Sequence, residues 1–368
     1  MAYTTIDDAA QHFNTVLFTG DIQDSDGTGH DQAVTGVGFQ PDWIWHKCRS
    51  HANQHMIVDS VRGTGGSPTQ MLFLSAQDNE NEKNSNSNGA IESIDSDGFT
   101  VTAGNDSSSK SNNAGANGRT YVDWCWKAGG GSTSSDSNGD ITSTVSVNTT
   151  AGFSIVSYTG NNTNDASIGH GLGVAPNWII IKNRDYTGAD WQIGADQIGW
   201  TKYLEFNTTN AAATDNKFYD KEPTSTVFYT AADRAMNSNG EKHIAYCFAE
   251  KKGYSKFGKY TGNGSSDDGP FVFTGFRPAW LMIKEIDGSD VWAMYDNKRI
   301  GYNTANYTLE ADGGGAEGTA TGRMHLLSNG FKITYNWTPI NTSGQSYFYM
   351  AFAESPFVNS NKVPTNAR

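Results

Sequence analysis

One eleven-residue pattern occurs three times in this chain, at intervals that only domain-sized repeats can explain. Gly38-Phe-Gln-Pro-Asp-Trp-Ile-Trp-His-Lys-Cys48 returns as Gly173-Val-Ala-Pro-Asn-Trp-Ile-Ile-Ile-Lys-Asn183 and as Gly275-Phe-Arg-Pro-Ala-Trp-Leu-Met-Ile-Lys-Glu285. Pro41, Pro176 and Pro278 lie 135 and 102 residues apart, well beyond the ~20–50-residue period of a solenoid. A strand ending in Thr-Gly precedes each copy: Phe13-Asn-Thr-Val-Leu-Phe-Thr-Gly20, Phe153-Ser-Ile-Val-Ser-Tyr-Thr-Gly160 and Lys256-Phe-Gly-Lys-Tyr-Thr-Gly262. A closing strand follows each: Tyr121-Val-Asp-Trp-Cys-Trp-Lys127, His243-Ile-Ala-Tyr-Cys-Phe-Ala-Glu250 and Tyr347-Phe-Tyr-Met-Ala-Phe-Ala-Glu354. Three markers in one order, three times, define three repeats.

Within a repeat the apolar residues alternate or run in short blocks between turn residues, with no helical period. The middle repeat reads as strands over 153–158, 178–182, 191–193, 203–206, 224–230 and 244–249, and the outer repeats follow the same order. Asp97-Gly98 and Asn329-Gly330 supply the tight turns ahead of the fifth strand. The expected fold is all-β: three tandem antiparallel β-sandwich modules of lectin or jelly-roll type, over 1–128, 152–250 and 254–358. Residues 129–151, rich in Gly and Ser, read as a flexible linker that lets the first module swing. Residues 359–368 read as a tail, and the Asn/Ser-rich stretches 78–89 and 104–118 as solvated loops of the first module.

Composition narrows the function classes. A formal net charge of −13 argues against nucleic acid, which needs a basic footprint, and against adsorption to anionic lipid. No apolar run approaches the ~20 residues of a spanning helix, and the polar, acidic start has no signal-peptide pattern. Three cysteines cannot close a disulfide framework, which suits a reducing cytoplasm. Cys125 and Cys247 share a position with Ala351, so they read as small buried fillers.

Trp43, Trp178 and Trp280 recur at one strand position, which marks core with a bonded N–H rather than a sugar-stacking face. The aromatics that do not recur, Trp200, Tyr186 and Trp337, are the candidate ligand-stacking residues. Lys47, Lys182 and Lys284 read as strand-end lysines whose stems cover a neighbouring aromatic. Asp59 with Arg62 and Asp296 with Arg299 read as turn-fixing pairs, absent from the second repeat, which has Ala195 and Ile198. Asp21, Asp24 and Asp26 could offer hard oxygens to Ca2+, although their loop lacks the bidentate Glu of an EF-hand; otherwise no cofactor is expected. Glu285, Asp287 and Asp290 have the spacing of a retaining-glycosidase strand, but Gly288 interrupts it, and no other catalytic set is found. The chain reads as a non-enzyme.

With these motifs assembled, the chain resembles a family of marine bacteriophage virion proteins with concanavalin A-like, lectin-type sandwich modules. The matching segments are the opening Met1-Ala-Tyr-Thr-Thr-Ile-Asp-Asp8, Asp59-Ser-Val-Arg-Gly63, Tyr246-Cys-Phe-Ala-Glu-Lys-Lys-Gly253, Phe352-Ala-Glu-Ser-Pro-Phe-Val358 and Asn359-Ser-Asn-Lys-Val-Pro-Thr-Asn-Ala-Arg368. The resemblance implies a virion localisation and a structural role as tail fibre, knob or capsid decoration. The implied partners are other virion proteins, further copies of the chain and host cell-surface glycan. A polysaccharide-degrading spike is the enzymatic alternative. The family brings no catalytic residues to carry over, and the fold alone does not fix function.

Overall fold

The three motif segments form strands Trp43–Cys48, Trp178–Asn183 and Phe276–Glu285, each buried along almost its whole length. In the computed structural model the described residues are 3–22, 31–63, 72–73, 89–102, 115–300 and 303–364. Each motif strand pairs antiparallel with the closing strand of its repeat, in matched register. Trp43 lies opposite Trp126, Trp178 opposite Phe248 and Trp280 opposite Phe352. The opening strand pairs with the other edge of the closing strand, and the third strand lies on the far side of the motif strand. The chain is all-β, and among the described residues its helices are confined to single turns.

Alternation sends each inner sheet's two faces to different cores. One face of the first inner sheet packs under the strands Asp31–Thr35, Gly98–Thr102 and Ala90–Asp95, burying Val16, Ile44, Met56, Val58 and Cys125 with Phe99 and Val101. In the second repeat Ala166–Gly169 and Val227–Thr230 cover Val156, Ile179, Ile181 and Cys247. In the third repeat the outer layer stays joined to the inner one through the long strand Gly318–Leu327, which pairs with both Ala305–Glu310 and Gly330–Ile333. All three cysteines are buried and none forms a disulfide, which for Cys125 and Cys247 suits small buried fillers.

The other faces of the three inner sheets meet in one shared aromatic core containing Trp43, Trp45, Trp124, Trp126, Trp178 and Trp280. The contacts have a cyclic order. Phe13 of the first repeat lies 6.5 Å from Trp280 of the third, Phe257 of the third 6.2 Å from Trp178 of the second, and Phe153 of the second 5.8 Å from Trp43 of the first. Equivalent residues making equivalent contacts around three steps close a pseudo-threefold ring. The motif tryptophans therefore hold the repeats to one another as well as to their own sheets. Their indole N–H groups are buried without a hydrogen-bond partner, so the bond expected from the sequence is not made.

Residues 129–151, expected as a flexible linker, are built into this body. The Asp42 carboxylate accepts N–H bonds from Ala128, Gly130 and Gly131 at 2.7–2.8 Å and a hydroxyl bond from Ser60. Beyond that turn, Ser134–Asp136 pairs with Ser143–Asn148, and the latter with the second repeat's opening strand. With its tether folded and its aromatics in the shared core, the first repeat has no freedom to swing. Ser134–Asp136 and Ala166–Gly169 are too short to read as strands, while Ser143–Asn148 does alternate Val145 and Val147 with polar residues, a signal masked by the Gly- and Ser-rich stretch ahead of it. The loops at 78–89 and 104–118 lie almost wholly outside the described residues.

The glycine of each Thr-Gly turn has a steric cause. A Cβ on Gly20, Gly160 or Gly262 would fall within 2.2, 2.1 or 2.3 Å of the carbonyl oxygen of Ala116, Ser238 or Thr342 respectively. The chain crosses itself there with no room for a side chain.

Candidate functional site

The strand-end lysines are far more deeply placed than a surface stem would be. Lys47 donates to the carbonyls of Cys48, Asn53 and Gly314, and Lys284 to those of Thr209, Glu285 and Gly288. Each ammonium thus ties its repeat to a loop of the next repeat in the ring, while Lys182 binds the carbonyl of Ala189 in its own repeat. Burial pushes both Lys47 and Lys284 down to about 8.

The acidic residues with hydrolase-like spacing do meet. Strand Phe276–Glu285 ends at Glu285, and the following turn returns Asp290 to hydrogen-bond with its carboxyl. Burial first, then the bond and charge of Asp290, raise Glu285 to about 7, against the opposing charge of Lys284. Asp312, whose carboxylate accepts the Trp292 N–H at 2.7 Å, is raised by burial as well. This cluster sits where Lys284 stitches the third repeat to the second. The folded state therefore holds a proton that an unfolded Glu, at its ordinary 4.5, has released. Stability is fully present below about 4.5 and declines as pH rises to about 7. Glu285→Gln, which donates to Asp290 without needing a proton, is expected to flatten the melting-temperature profile between pH 5 and 7. An unchanged slope would place the titration elsewhere.

The three candidate stacking residues are not free platforms. Trp200 is 5 % exposed, lies edge-on to Phe218 and donates its N–H to Asp196 at 2.9 Å, so it belongs to the second repeat's outer core. Tyr186 and Trp337 are half-buried, and each gives a ring face to an arginine: Arg234 at 3.4 Å and Arg323 at 3.8 Å from the ring centroids. Asp21 is exposed, with its backbone N–H on Gln32, while Asp24 and Asp26 lie outside the described residues. Among the described residues no three His, Cys, Asp or Glu side chains gather as metal ligands.

Two of the polar loops that follow the Thr-Gly turns share one internal frame. Buried Asn237 and Asn341, at the ends of the one-turn helices Arg234–Asn237 and Thr338–Asn341, accept the N–H groups of Asn161 and Asn263. Their amides donate back to Thr163 and Ser265 carbonyls. Tyr158 and Tyr260 brace the same helices through bonds to Met236 and Ile340. These loops are thus held in defined shapes by groups that the sequence reading had not singled out.

Beside the turn that carries Tyr186, a cleft of about 340 Å³ opens on the second repeat, lined by Thr142, Thr144, Ser157, Thr159, Arg184 and Lys242. Sheet pairing sets these residues in two neighbouring rows on one face: Thr144 lies opposite Ser157, and Thr159 opposite Lys242. Arg184 follows the motif strand directly and donates to Ser157 Oγ at 3.3 Å. Sequence reasoning passed over these residues, although hydroxyls at every second position of two neighbouring strands were a readable signal.

Residues 8–356 match a protein family described as a domain of unknown function, DUF7483. The chain belongs to that family. The match runs through all three repeats, so the family is defined over the assembled ring rather than over one repeat. No curated protein and no solved structure matches the chain.

Proposed function

We propose that this chain is a non-catalytic virion surface protein, a short fibre or knob that attaches a phage particle to glycan on its host. The observation that carries the reading is the division of side chains. The shared core consumes the recurrent aromatics, leaving a rim of Asn-, Ser- and Thr-bearing loops and the polar cleft at Arg184 and Lys242. A rigid body with a shaped polar rim suits recognition of hydroxyl-rich ligands. Weak single sites then gain strength from many copies on one particle. The expectations of no cofactor, no nucleic acid and no membrane insertion belong to the same reading, as does its resemblance to virion proteins. Purified chain is expected to bind host cells and compete with particle adsorption, without releasing sugar. Reducing-sugar release lost in Glu285→Gln would overturn the non-enzyme reading in favour of a degrading spike.

A second reading, a capsid or tail decoration that binds other virion proteins, is favoured by one feature. The sheet-edge strand Phe271–Phe273 leaves Phe271 and Phe273 exposed at 47 % and 57 %, with Val272 turned inward. Edge strands with apolar outer residues are templates for protein contacts. Electron cryo-microscopy of intact particles distinguishes the two: a decoration would have this edge covered by a neighbour, and an attachment protein would project its rim outward.

A further inference from the structure

We propose that the pocket between the first and third repeats is a subsite for the acetamido group of an N-acetylated sugar. The proposal rests on the glycan-attachment reading and gives that reading a ligand class.

The seams between repeats are closed unequally. Lys298, in the one-turn helix Asn297–Ile300, has Val61 and Gln197 as its counterparts. Val61 packs against the shared core. Gln197 donates its side-chain amide to the Phe257 carbonyl, on the third repeat's opening strand, at 3.1 Å. Glu250 completes that closure by accepting the Phe257 N–H at 3.2 Å and the Lys256 ammonium at 2.8 Å. Where the third repeat meets the first, the counterparts turn elsewhere. Lys298 is exposed, and Glu354, which stands where Glu250 does, pairs with Arg277 of its own repeat. The first repeat's opening strand gives room as well. Thr15 lies opposite Trp124 as the larger Ile155 lies opposite Tyr246. What remains is a pocket of about 80 Å³, with Phe13, Thr15, Ala279, Asn297, Lys298 and Glu354 in its lining.

The lining has a definite chemistry. Thr15 is 6 % exposed, and its Oγ1 and the buried Asn297 Oδ1 have no hydrogen-bond partner among the described residues. Buried oxygens left without a donor are costly, so they favour a ligand that brings an N–H. Phe13 and Ala279, both buried, offer an apolar surface to a methyl group. The Lys298 ammonium, which can only donate, suits a carbonyl oxygen on the solvent side. Glu354 disfavours an anion and Lys298 a cation, so a neutral amide fits better than either. An acetamido group joins methyl, N–H and carbonyl in four non-hydrogen atoms. At about 30 Å³ per water, the pocket has the volume of roughly two to three water molecules. It therefore admits a substituent and leaves the sugar ring outside, among the polar groups of the rim. The molecule already uses an amide in this way, since the Gln197 carboxamide closes the second seam with the third repeat.

The test is calorimetric titration of the full chain with N,N′-diacetylchitobiose and with cellobiose, which has hydroxyls in place of the acetamido groups. The acetylated sugar is expected to bind, and cellobiose at least about tenfold more weakly, a difference of one well-made buried hydrogen bond. Thr15→Ile, which fills the pocket with the side chain of the second repeat, should abolish binding without lowering the melting temperature. Lys298→Gln, at an exposed site, should weaken binding about tenfold and also leave the melting temperature unchanged. Equal affinity for the two sugars, no binding of either, or full affinity in both variants would overturn the proposal, the pocket then holding water only. Tighter binding of N-acetyllysine amide than of the disaccharide would overturn it in favour of an acetylated protein. Host-cell adhesion separates this subsite from the reading beneath it. If Thr15→Ile adheres as well as the wild-type chain, attachment stands and the subsite falls. If the wild-type chain binds the acetylated sugar but not host cells, the subsite stands and attachment falls.

Discussion

Trp280→Ala is expected to destabilise the whole chain by about 3–5 kcal/mol, the cost of emptying a buried aromatic site, and to leave a single unfolding transition. Trp280 is 1 % exposed. Its ring contacts Phe13, Trp45, Trp124 and Trp126 of the first repeat, at centroid distances of 6.5, 6.0, 6.5 and 5.6 Å, and Phe352 of its own at 6.0 Å. Most of what the side chain touches therefore lies across a repeat boundary. If the repeats were independent sandwiches, the substitution would move one of three calorimetric transitions and leave two in place. The shared core predicts instead that all signals move together, because no repeat keeps its inner face covered without its neighbours. Calorimetry combined with urea unfolding, followed by tryptophan fluorescence and circular dichroism, makes the comparison. A split transition would show that the ring is an assembly of separable units.

The fold was legible in the sequence as far as periodicity reaches. The motif, opening and closing strands declared themselves because their alternation is strict and their tryptophans recur. What lay beyond reach was where the second face of each inner sheet goes. An apolar residue such as Ile180 reads the same whether it packs under its own outer layer or against another repeat. A signal was nevertheless present: the inner-facing series Trp43, Trp45, Trp124, Trp126 is far bulkier than the opposite face with Ile44 and Cys125. The site was less legible, because Trp200 stands out by not recurring, and non-recurrence cannot separate a surface aromatic from the private core of one repeat. Arg184 recurs as Arg49, and that Arg49 takes the Glu317 carboxylate of the third repeat is nowhere signalled by the spacing of the motif.

Asp59→Ala is expected to cost about 3–5 kcal/mol, because it takes the carboxylate away from a buried guanidinium. Asp59 is fully buried, and its carboxylate accepts the Arg62 Nε–H and Arg62 N–H as well as the Tyr246 hydroxyl of the second repeat, the last at 2.7 Å. Around the ring, Asp296 with Arg299 receives the Trp124 N–H of the first repeat at 3.0 Å. The third seam shows why the second repeat departs from the pattern. The position equivalent to Trp124 and Tyr246 is Met350, opposite Met282, and it has no hydrogen to donate. The position equivalent to Asp59 and Asp296 is Ala195, opposite Trp178, with Ile198 in place of the arginine. Carboxylate, arginine and neighbouring donor thus occur together or not at all. The combined variant Asp59→Ala, Arg62→Ile, Tyr246→Met rewrites the first seam in the chemistry of the third. It should recover at least half of the stability lost in Asp59→Ala, since replacing a whole buried polar set by apolar groups costs far less than breaking it. Urea unfolding of the single and combined variants measures the recovery. A combined variant as unstable as Asp59→Ala alone would mean that the two seams differ in packing as well as in polarity, and that the ion pairs are required by the shape of their own turns.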